Sequence, residues 1–459
     1  MSIQDKCSQK LNRVIDALTS QGGDVCFVGG CVRDYLSGKE MKDFDIEVFH
    51  LTEAALYACL SSFGTCQMIG SSFGIYKLAD LPEADFALPR REKKTGEGHQ
   101  GFTVYVDPEL SIEKAAKRRD FTMNAIYYHV NTRQYIDPYH GIEDLQQGLI
   151  RVVDQESFPE DPLRVLRLAQ FLSRFDFEVD PDTKMLAAEM VRQGTLETLS
   201  HERIVAEYDK MLLGDKPSKG LQFLMDIQAL PELLACLKEV FQRPDYHPEG
   251  NVWVHTLMVV DEASKVKSKT SWPLGFMWSA LLHDVGKAKT TDEFGHAYGH
   301  EDVGADMAVA FLRSIQKNKA LERYVHCMIK NHMKLMTYAR SPAKDKTFLK
   351  LLWYLDGKTT LNDLYYLTQS DTLGCGGSHE ASLQEMQAFV QDKVTRLGDK
   401  APKPCVNGKD LLDLGFLPGP DIKQLLNEAY LLQLSGLNKT DILKNIKGRK
   451  KNGTREHRC

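Results

Sequence analysis

The stretch DVCFVGGCVRDYLSGKEMKDFDIEVF, residues 24–49, decides the reading of the fold. It opens with a β-branched and aromatic run that ends in Gly29 and Gly30, continues as a segment of helical character, and closes on an alternating strand. A strand, a glycine turn and a helix start form a place where backbone N–H groups can approach a triphosphate, helped by the partial positive charge of the helix end. Side chains alternate along a strand, so Asp43 and Asp45 share one face while Phe44 takes the other. Two carboxylates on one face beside a phosphate cradle can hold Mg²⁺, which prefers oxygen ligands.

Such a pair suits phosphoryl and nucleotidyl transfer, in which one metal activates an attacking hydroxyl and the other neutralises charge on the triphosphate and the leaving pyrophosphate. Asp85, in the strand ADFAL, is a candidate third carboxylate, and Arg33, adjoining the glycine turn with Asp34, is a candidate nucleotide-binding residue beside Gly29 and Gly30. Outward from this centre, IYKLADL, ADFALP and GFTVYV read as further short strands, so residues 1–150 form a mixed head. Beyond Phe158 the pattern changes to long amphipathic segments such as PLRVLRLAQFLSRF and IVAEYDKMLL. The expected fold class is therefore α+β, a head with a mixed sheet followed by helices. Turn chemistry near 243–251, 340–346 and 398–408 marks internal boundaries, giving a head (1–150), a helical neck (151–243), a third region (244–398) and a helical tail (399–459) with a basic end from Lys444 to Arg458.

Composition bounds the function. With 459 residues, 42% hydrophobic and 26% charged, the chain matches a soluble globular protein of two or more domains rather than a disordered or membrane protein. No apolar run approaches the roughly 20 residues of a bilayer span. The first residues lack the basic start, apolar core and small-residue cleavage site of a secretory signal, so a cytoplasmic location is expected. Ten cysteines without a CxxC pair indicate neither a zinc knuckle nor a disulfide framework. A net charge of −5 excludes a surface wholly devoted to nucleic acid but not a basic groove.

GGCVRD, KDFDIEV, RRDFTMNA (118–125), DPYHGIEDL (137–145), EDPLRVLR (160–167) and HERIVAEYDKML (201–212), in that order, resemble the class II tRNA nucleotidyltransferase and bacterial poly(A) polymerase family over roughly the first 215 residues. The resemblance implies a polymerase-β-like head in which Asp43 and Asp45 are the metal ligands. It implies that Arg118, Asp120 and Asn124 contact ribose and triphosphate, and that Glu160, Asp161, Arg164 and Arg167 form the nucleotide-selecting helix. Their own spacing agrees, since these four positions lie three or four apart and would present one polar stripe on a helix. An Arg fork and a carboxylate can pair with a base edge, so Asp161 and Arg164 could serve as a protein template for cytosine or adenine. Gln170 stands where relatives often carry another arginine. The basic, glycine-punctuated segment RREKKTGEGHQG (90–101) resembles the loop that couples to the switch from C to A in CCA-adding members.

Downstream, WVHT, LLHDVGK, YGHED, KNH and QSD supply His255, His283, Asp284, His300, His332 and Asp371. Adjacent imidazole and carboxylate at His283–Asp284 can bind one metal or bridge two, and the pattern over residues 245–375 resembles the HD superfamily of metal-dependent phosphohydrolases. His255, His283, Asp284 and Asp371 fit its four-ligand set, His300 and His332 could complete a dinuclear centre, and His326 is a rival to His332. Mixed N/O ligation suits Mn²⁺, Ni²⁺, Co²⁺ or Fe better than Mg²⁺.

The resemblances together imply a CCA-adding enzyme that acts on the tRNA 3′ end with CTP, ATP and Mg²⁺, requires no membrane, and carries a second, HD-type phosphohydrolase activity. CC-adding, A-adding or poly(A)-adding chemistry shares the head motifs, and a phosphohydrolase with a non-catalytic RNA-binding head is the alternative from another class. Oligomeric state is not legible in the sequence.

Overall fold

The computed structural model describes residues 2–69, 74–94, 102–245 and 247–453, with backbone alone at 92–94, 102–104 and 448–453. The chain forms two compact units, Met1–Pro231 and Glu232–Cys459. The first contains β1 (Asp24–Val28), β2 (Phe44–Phe49), β3 (Cys66–Ile69), β4 (Ile75–Leu78), β5 (Leu81–Ala87), β6 (Arg90–Lys94), β7 (Phe102–Val106), β8 (Tyr127–His129) and β9 (Gln134–Ile136). Seven strands make one mixed sheet in the order β3-β4-β5-β2-β1-β8-β9, with β2 antiparallel to β1 and parallel to β5. Strands β6 and β7 pair separately as an antiparallel hairpin. Of the expected loop at 90–101, residues 95–101 lie outside the described residues.

Alternation along β1 and β2 divides their side chains between two cores. Phe27, Phe44, Ile46 and Val48 pack with Leu11, Val14, Ile15 and Leu18 of the helix Gln9–Ser20. That helix starts where it does because Ser8 accepts a hydrogen bond from Leu11 N at 3.2 Å, and its buried residues recur every three or four positions. Each such buried aliphatic side chain contributes roughly 1.5–3 kcal/mol. On the opposite face Cys26, Val28 and Phe49 pack with Ala115, Ala116 and Tyr127, under the helix Ile112–Lys117. Asp45 and Glu47 project to this second face.

The helical region after Phe158 has the expected amphipathic elements, Leu163–Phe175, Pro181–Arg192, His201–Leu212 and Pro217–Asp226. One local expectation fails. Glu160 and Asp161 do not share a helix with Arg164 and Arg167, because Glu160 ends a 3₁₀ turn and Asp161 is extended at φ −118°, ψ 100°. Pro162 is the cause: it disfavours α geometry in the residue before it and starts, rather than continues, the helix.

The second unit is helical. Its central elements are Val252–Val266, Pro273–Leu282, His300–Ser314, Lys319–Asn331 and Leu361–Gly374. Three further helices, Gly408–Asp413, Pro420–Gln433 and Lys439–Gly453, gather around a small core of their own, formed by Val406, Leu411, Ala429, Ile442 and Ile446. Among the described residues no helix is long and apolar enough to cross a membrane.

Candidate active sites

In the first unit, Gly29 caps the helix Gly30–Leu36 at φ 72°, ψ −132°, a conformation that favours glycine. A Cβ at this position would meet Asp45 Oδ2 at 3.1 Å and Arg119 Nη1 at 3.3 Å, so the missing side chain is what lets these groups converge. Asp45 is paired in register with Asp85 across β2 and β5. Asp43, Asp45 and Asp85 line one open cleft of about 790 Å³ together with Gly30 and Arg33. Lys77 Nζ lies 2.7 Å from Asp85 Oδ1. Burial raises the Asp45 carboxyl, Arg119 opposes that, and Asp85 and Asp43 add to it. An all-carboxylate set whose central member is destabilised by two like charges fits a hard divalent cation such as Mg²⁺.

The remaining head residues form a connected network. Arg118 Nη2 donates to Glu47 Oε1 at 2.8 Å, and its backbone carbonyl accepts from Arg164 Nη2 at 2.6 Å. Arg167 Nε donates to Asp120 Oδ2 at 2.8 Å, and Asn124 Nδ2 donates to Asp120 Oδ1 at 2.9 Å. Burial would raise the Asp120 carboxyl, but Arg167 and Asn124 overcome it and hold the group at about 2. Arg33 is buried, with Nε 2.9 Å from Asp34 Oδ1 and Nη1 2.5 Å from Asn124 Oδ1. Its guanidinium lies over Phe171 and Phe175, so it ties the glycine turn to the helix Leu163–Phe175. Asp161 accepts from Arg203 Nη2 at 3.2 Å, while Arg164 Nη1 donates to Ser157 O at 2.9 Å. The side chains expected to read a base are thus held by neighbours, while Arg164 N donates to Asp161 O at 3.0 Å along the backbone. Glu160 is partly exposed at the end of the 3₁₀ turn, and Gln170 is buried in the following helix.

The second unit brings six of the sequence-derived residues together. His255 Nε2 lies 3.2 Å from His283 Nε2 and 3.1 Å from Asp371 Oδ1, and His283 Nε2 lies 3.3 Å from Asp284 Oδ2. The other oxygen, Asp284 Oδ1, lies 3.3 Å from His300 Nε2 and 3.8 Å from His332 Nε2, while the two imidazoles are 3.4 Å apart. Asp284 therefore links two groups that could hold a metal ion, His255–His283–Asp371 and Asp284–His300–His332. His326 stands elsewhere, 39% exposed and 3.6 Å from Asp306.

The tautomers test whether a metal fits. Nδ1 of His283, His300 and His332 donates to the carbonyl three residues back, at Ala280 (2.8 Å), Ala297 (2.8 Å) and Ile329 (2.6 Å). His255 Nδ1 faces Glu249 Oε1 at 3.0 Å and Gly374 O at 3.3 Å. With these Nδ1 atoms facing carbonyls or Glu249, the four Nε2 atoms converge on one another and on the carboxylates of buried Asp284 and partly buried Asp371. Such a donor set fits a metal cation. Burial alone would lower His283, yet Asp284 and Asp371 raise it to about 9, whereas burial and the neighbouring imidazoles take His332 down to about 4. Buried Asp284 has no well-formed hydrogen bond to either oxygen, although Lys287 Nζ comes within 2.7 Å of Oδ2. Mixed imidazole and carboxylate donors fit a transition metal.

Sequence reasoning missed Glu47, Arg119 and Tyr127 in the head, and His247, Glu249, Lys287 and Cys375 around the second centre. Glu249 Oε1 accepts from His247 Nδ1 at 2.8 Å as well as from His255, an outer layer that orients a ligand imidazole. Only the HxE spacing in HPEG, whose His247 precedes His255 by eight residues, offered a signal for it.

The family described as the poly A polymerase head domain matches residues 25–151, "Probable RNA and SrmB- binding site of polymerase A" matches 176–240, and the HD domain family matches 252–371. The multifunctional CCA protein of Chromobacterium violaceum is 34% identical over 386 residues, covering 83% of this chain and 87% of that protein. The chain belongs to the multifunctional CCA protein family. The member from Xanthomonas campestris pv. campestris (strain B100) is 31% identical, covering 90% of this chain and 98% of its own length. The same fold occurs in the Bacillus stearothermophilus CCA-adding enzyme in complex with CTP, at a TM-score of 0.67 and 22% identity over 98% of this chain and 99% of that one. It occurs also in the Thermotoga maritima CCA-adding enzyme complexed with tRNA, at 0.61 and 20% over 97% of each. The polymerase-β-like head expected from the motifs is the fold of this multifunctional CCA family member, and its second unit carries the HD domain.

Proposed function

We propose that this chain adds C, C and A to the 3′ end of tRNA from CTP and ATP without a nucleic-acid template, and that its HD centre is a metal-dependent phosphohydrolase. The observation that carries the first part is the convergence of Asp43, Asp45 and the glycine turn in the head of a chain whose full-length relatives are multifunctional CCA proteins. Asp43 and Asp45, with Asp85 beside them, would hold Mg²⁺. Bound there, it would activate the 3′-hydroxyl and neutralise charge on the triphosphate. Gly29 and Gly30 leave room for the triphosphate, Arg118, Asp120 and Asn124 position the nucleotide, and Arg33 braces that network from behind. Glu160, Asp161, Arg164 and Arg167 line the route by which the base edge is read, with Asp161 and Arg164 exchanging their present partners for the base.

The second part rests on the six-residue centre of His255, His283, Asp284, His300, His332 and Asp371. These residues would hold Mn²⁺, Ni²⁺, Co²⁺ or Fe, which supply Lewis acidity and an activated water for phosphate esters. We assign the head to 1–150, the neck to 151–243, the HD domain to 244–398 and the tail to 399–459, and place the enzyme in the cytoplasm.

The test offers the pure protein tRNAs that end before C, after CC and after CCA, with CTP and ATP, and reads the nucleotides added. Completion to CCA and then arrest supports the proposal. Addition of only CC, only A, or a long A tract on arbitrary RNA replaces it with the corresponding alternative.

A further inference from the structure

Glu47 is the third acid on the metal-facing side of β2, two residues beyond Asp45, and it is 1% exposed. A buried carboxylate must be compensated. Here Arg118 Nη2 donates to Oε1 at 2.8 Å, Tyr127 OH donates to Oε2 at 2.6 Å, and Arg119 Nη2 approaches Oε2 at 3.5 Å. With both of its oxygens taken by these donors, Glu47 is not a further metal ligand.

Arg119 is the member of this group with a choice. Its guanidinium stands over the Tyr127 ring, with one edge toward Glu47. The other edge reaches the space above Gly29 that the Asp45 carboxylate also reaches, 3.3 and 3.1 Å respectively from the position of the absent Cβ. Arg119 Nε is buried without a hydrogen-bond partner, so the group is held at its ends rather than saturated. Two acids thus compete for one cationic side chain. If Glu47 lost its charge, the remaining acid nearby would be Asp45, and a guanidinium settled on Asp45 would exclude a divalent ion by charge and by volume.

We propose that Glu47 is a positioning residue that shares Arg119 with Asp45, keeps the guanidinium from settling wholly on Asp45 and thereby leaves Asp45 open to a divalent cation. The idea rests on the reading of Asp43 and Asp45 as metal ligands. It assigns the buried acid a part in metal affinity rather than in nucleotide contact.

The test measures Mn²⁺ binding to the full chain by the electron paramagnetic resonance of free Mn²⁺, alongside circular dichroism to establish folding. Asp45→Ala identifies which Mn²⁺ sites belong to the head. In Glu47→Gln those sites weaken about tenfold, the scale expected when a partner that orients a metal site is lost. In the double variant Glu47→Gln with Arg119→Gln the competitor is gone, and affinity returns to within about threefold of wild type. A merely structural role for Glu47 would not be rescued by removing a second charged residue. Equal affinity in Glu47→Gln and wild type, or no recovery in the double variant, overturns the proposal while leaving the metal-ligand reading intact. No loss of sites in Asp45→Ala overturns that reading and this proposal with it. Should Glu47→Gln fail to fold, Glu47→Asp withdraws the carboxylate by one methylene while keeping its charge. A loss of at least threefold is then expected, and unchanged affinity overturns the proposal.

Discussion

Gly29→Ala separates two reasons for a glycine at the head of the phosphate-holding turn. The first is backbone strain: a non-glycine residue at φ 72°, ψ −132° costs about 1–3 kcal/mol. At about 2–4 °C per kcal/mol for a unit of this size, the melting temperature of the head falls by about 2–12 °C. The second is space, because the new methyl would lie 3.1 Å from Asp45 Oδ2 and 3.3 Å from Arg119 Nη1. The carboxylate must then move by several tenths of an ångström, which is comparable with the tolerance of about 0.5 Å within which a reacting group must be held. The expected fall in kcat for C addition is about ten- to a hundredfold. Gly22→Ala is the matched control, since Gly22 has φ 91° and open space around it, so it carries backbone strain without crowding. Single-turnover incorporation of labelled CMP into a tRNA lacking its CCA end, normalised to folded protein, reads the chemistry, and differential scanning fluorimetry reads the stability. A Gly29→Ala rate within twofold of Gly22→Ala would refute the claim that the missing Cβ makes room for Asp45.

Asp120→Asn tests the buried Arg167–Asp120–Asn124 link. The folded carboxyl is held at about 2 against its ordinary value of 3.8, a difference of about 2 kcal/mol. Because the folded value is depressed, this stability is present above the unfolded value and is lost as pH falls through the folded one. Urea unfolding should therefore show a deficit of about 2 kcal/mol at pH 7 that narrows from pH 4 downward, and a deficit independent of pH would count against the pairing. At the HD centre, His332→Ala should remove one of two Co²⁺ sites counted by elemental analysis, whereas His326→Ala should remove none; the opposite pattern would reassign the ligand.

The parts of the two centres that could be read from sequence are those whose spacing is itself the geometry. Asp43 and Asp45 share a face because strand side chains alternate, and His283 and Asp284 adjoin in the chain. His326 and His332 could not be separated in this way, since both belong to the same stretch of helix and its end; the choice depends on which face meets Asp284. Glu47 was hidden for a different reason. A charged residue next to a metal-binding strand end reads as solvated, and its burial arises only because Arg118 and Arg119 arrive from some 70 residues away in the chain. The stripe at Glu160, Asp161, Arg164 and Arg167 was legible in composition but not in geometry, because helical spacing ignores the break that Pro162 imposes.

The local anchoring of His283, His300 and His332 has a consequence for how the enzyme acquires its ions. Each ring is aimed by a carbonyl only three residues behind it, His283 and His332 at the ends of their helices and His300 at the start of its own. On the proposed reading these residues would be in position before any ion arrives, and little conformational entropy would remain to be lost on loading. Unlike a zinc finger, which gains its fold from its ion, this unit has an apolar helical core to stand on without one. Stripping with a chelator should leave a folded protein that can be recharged, and the ion found in the centre would then reflect the supply at hand when the protein was last emptied, not a choice made once during synthesis.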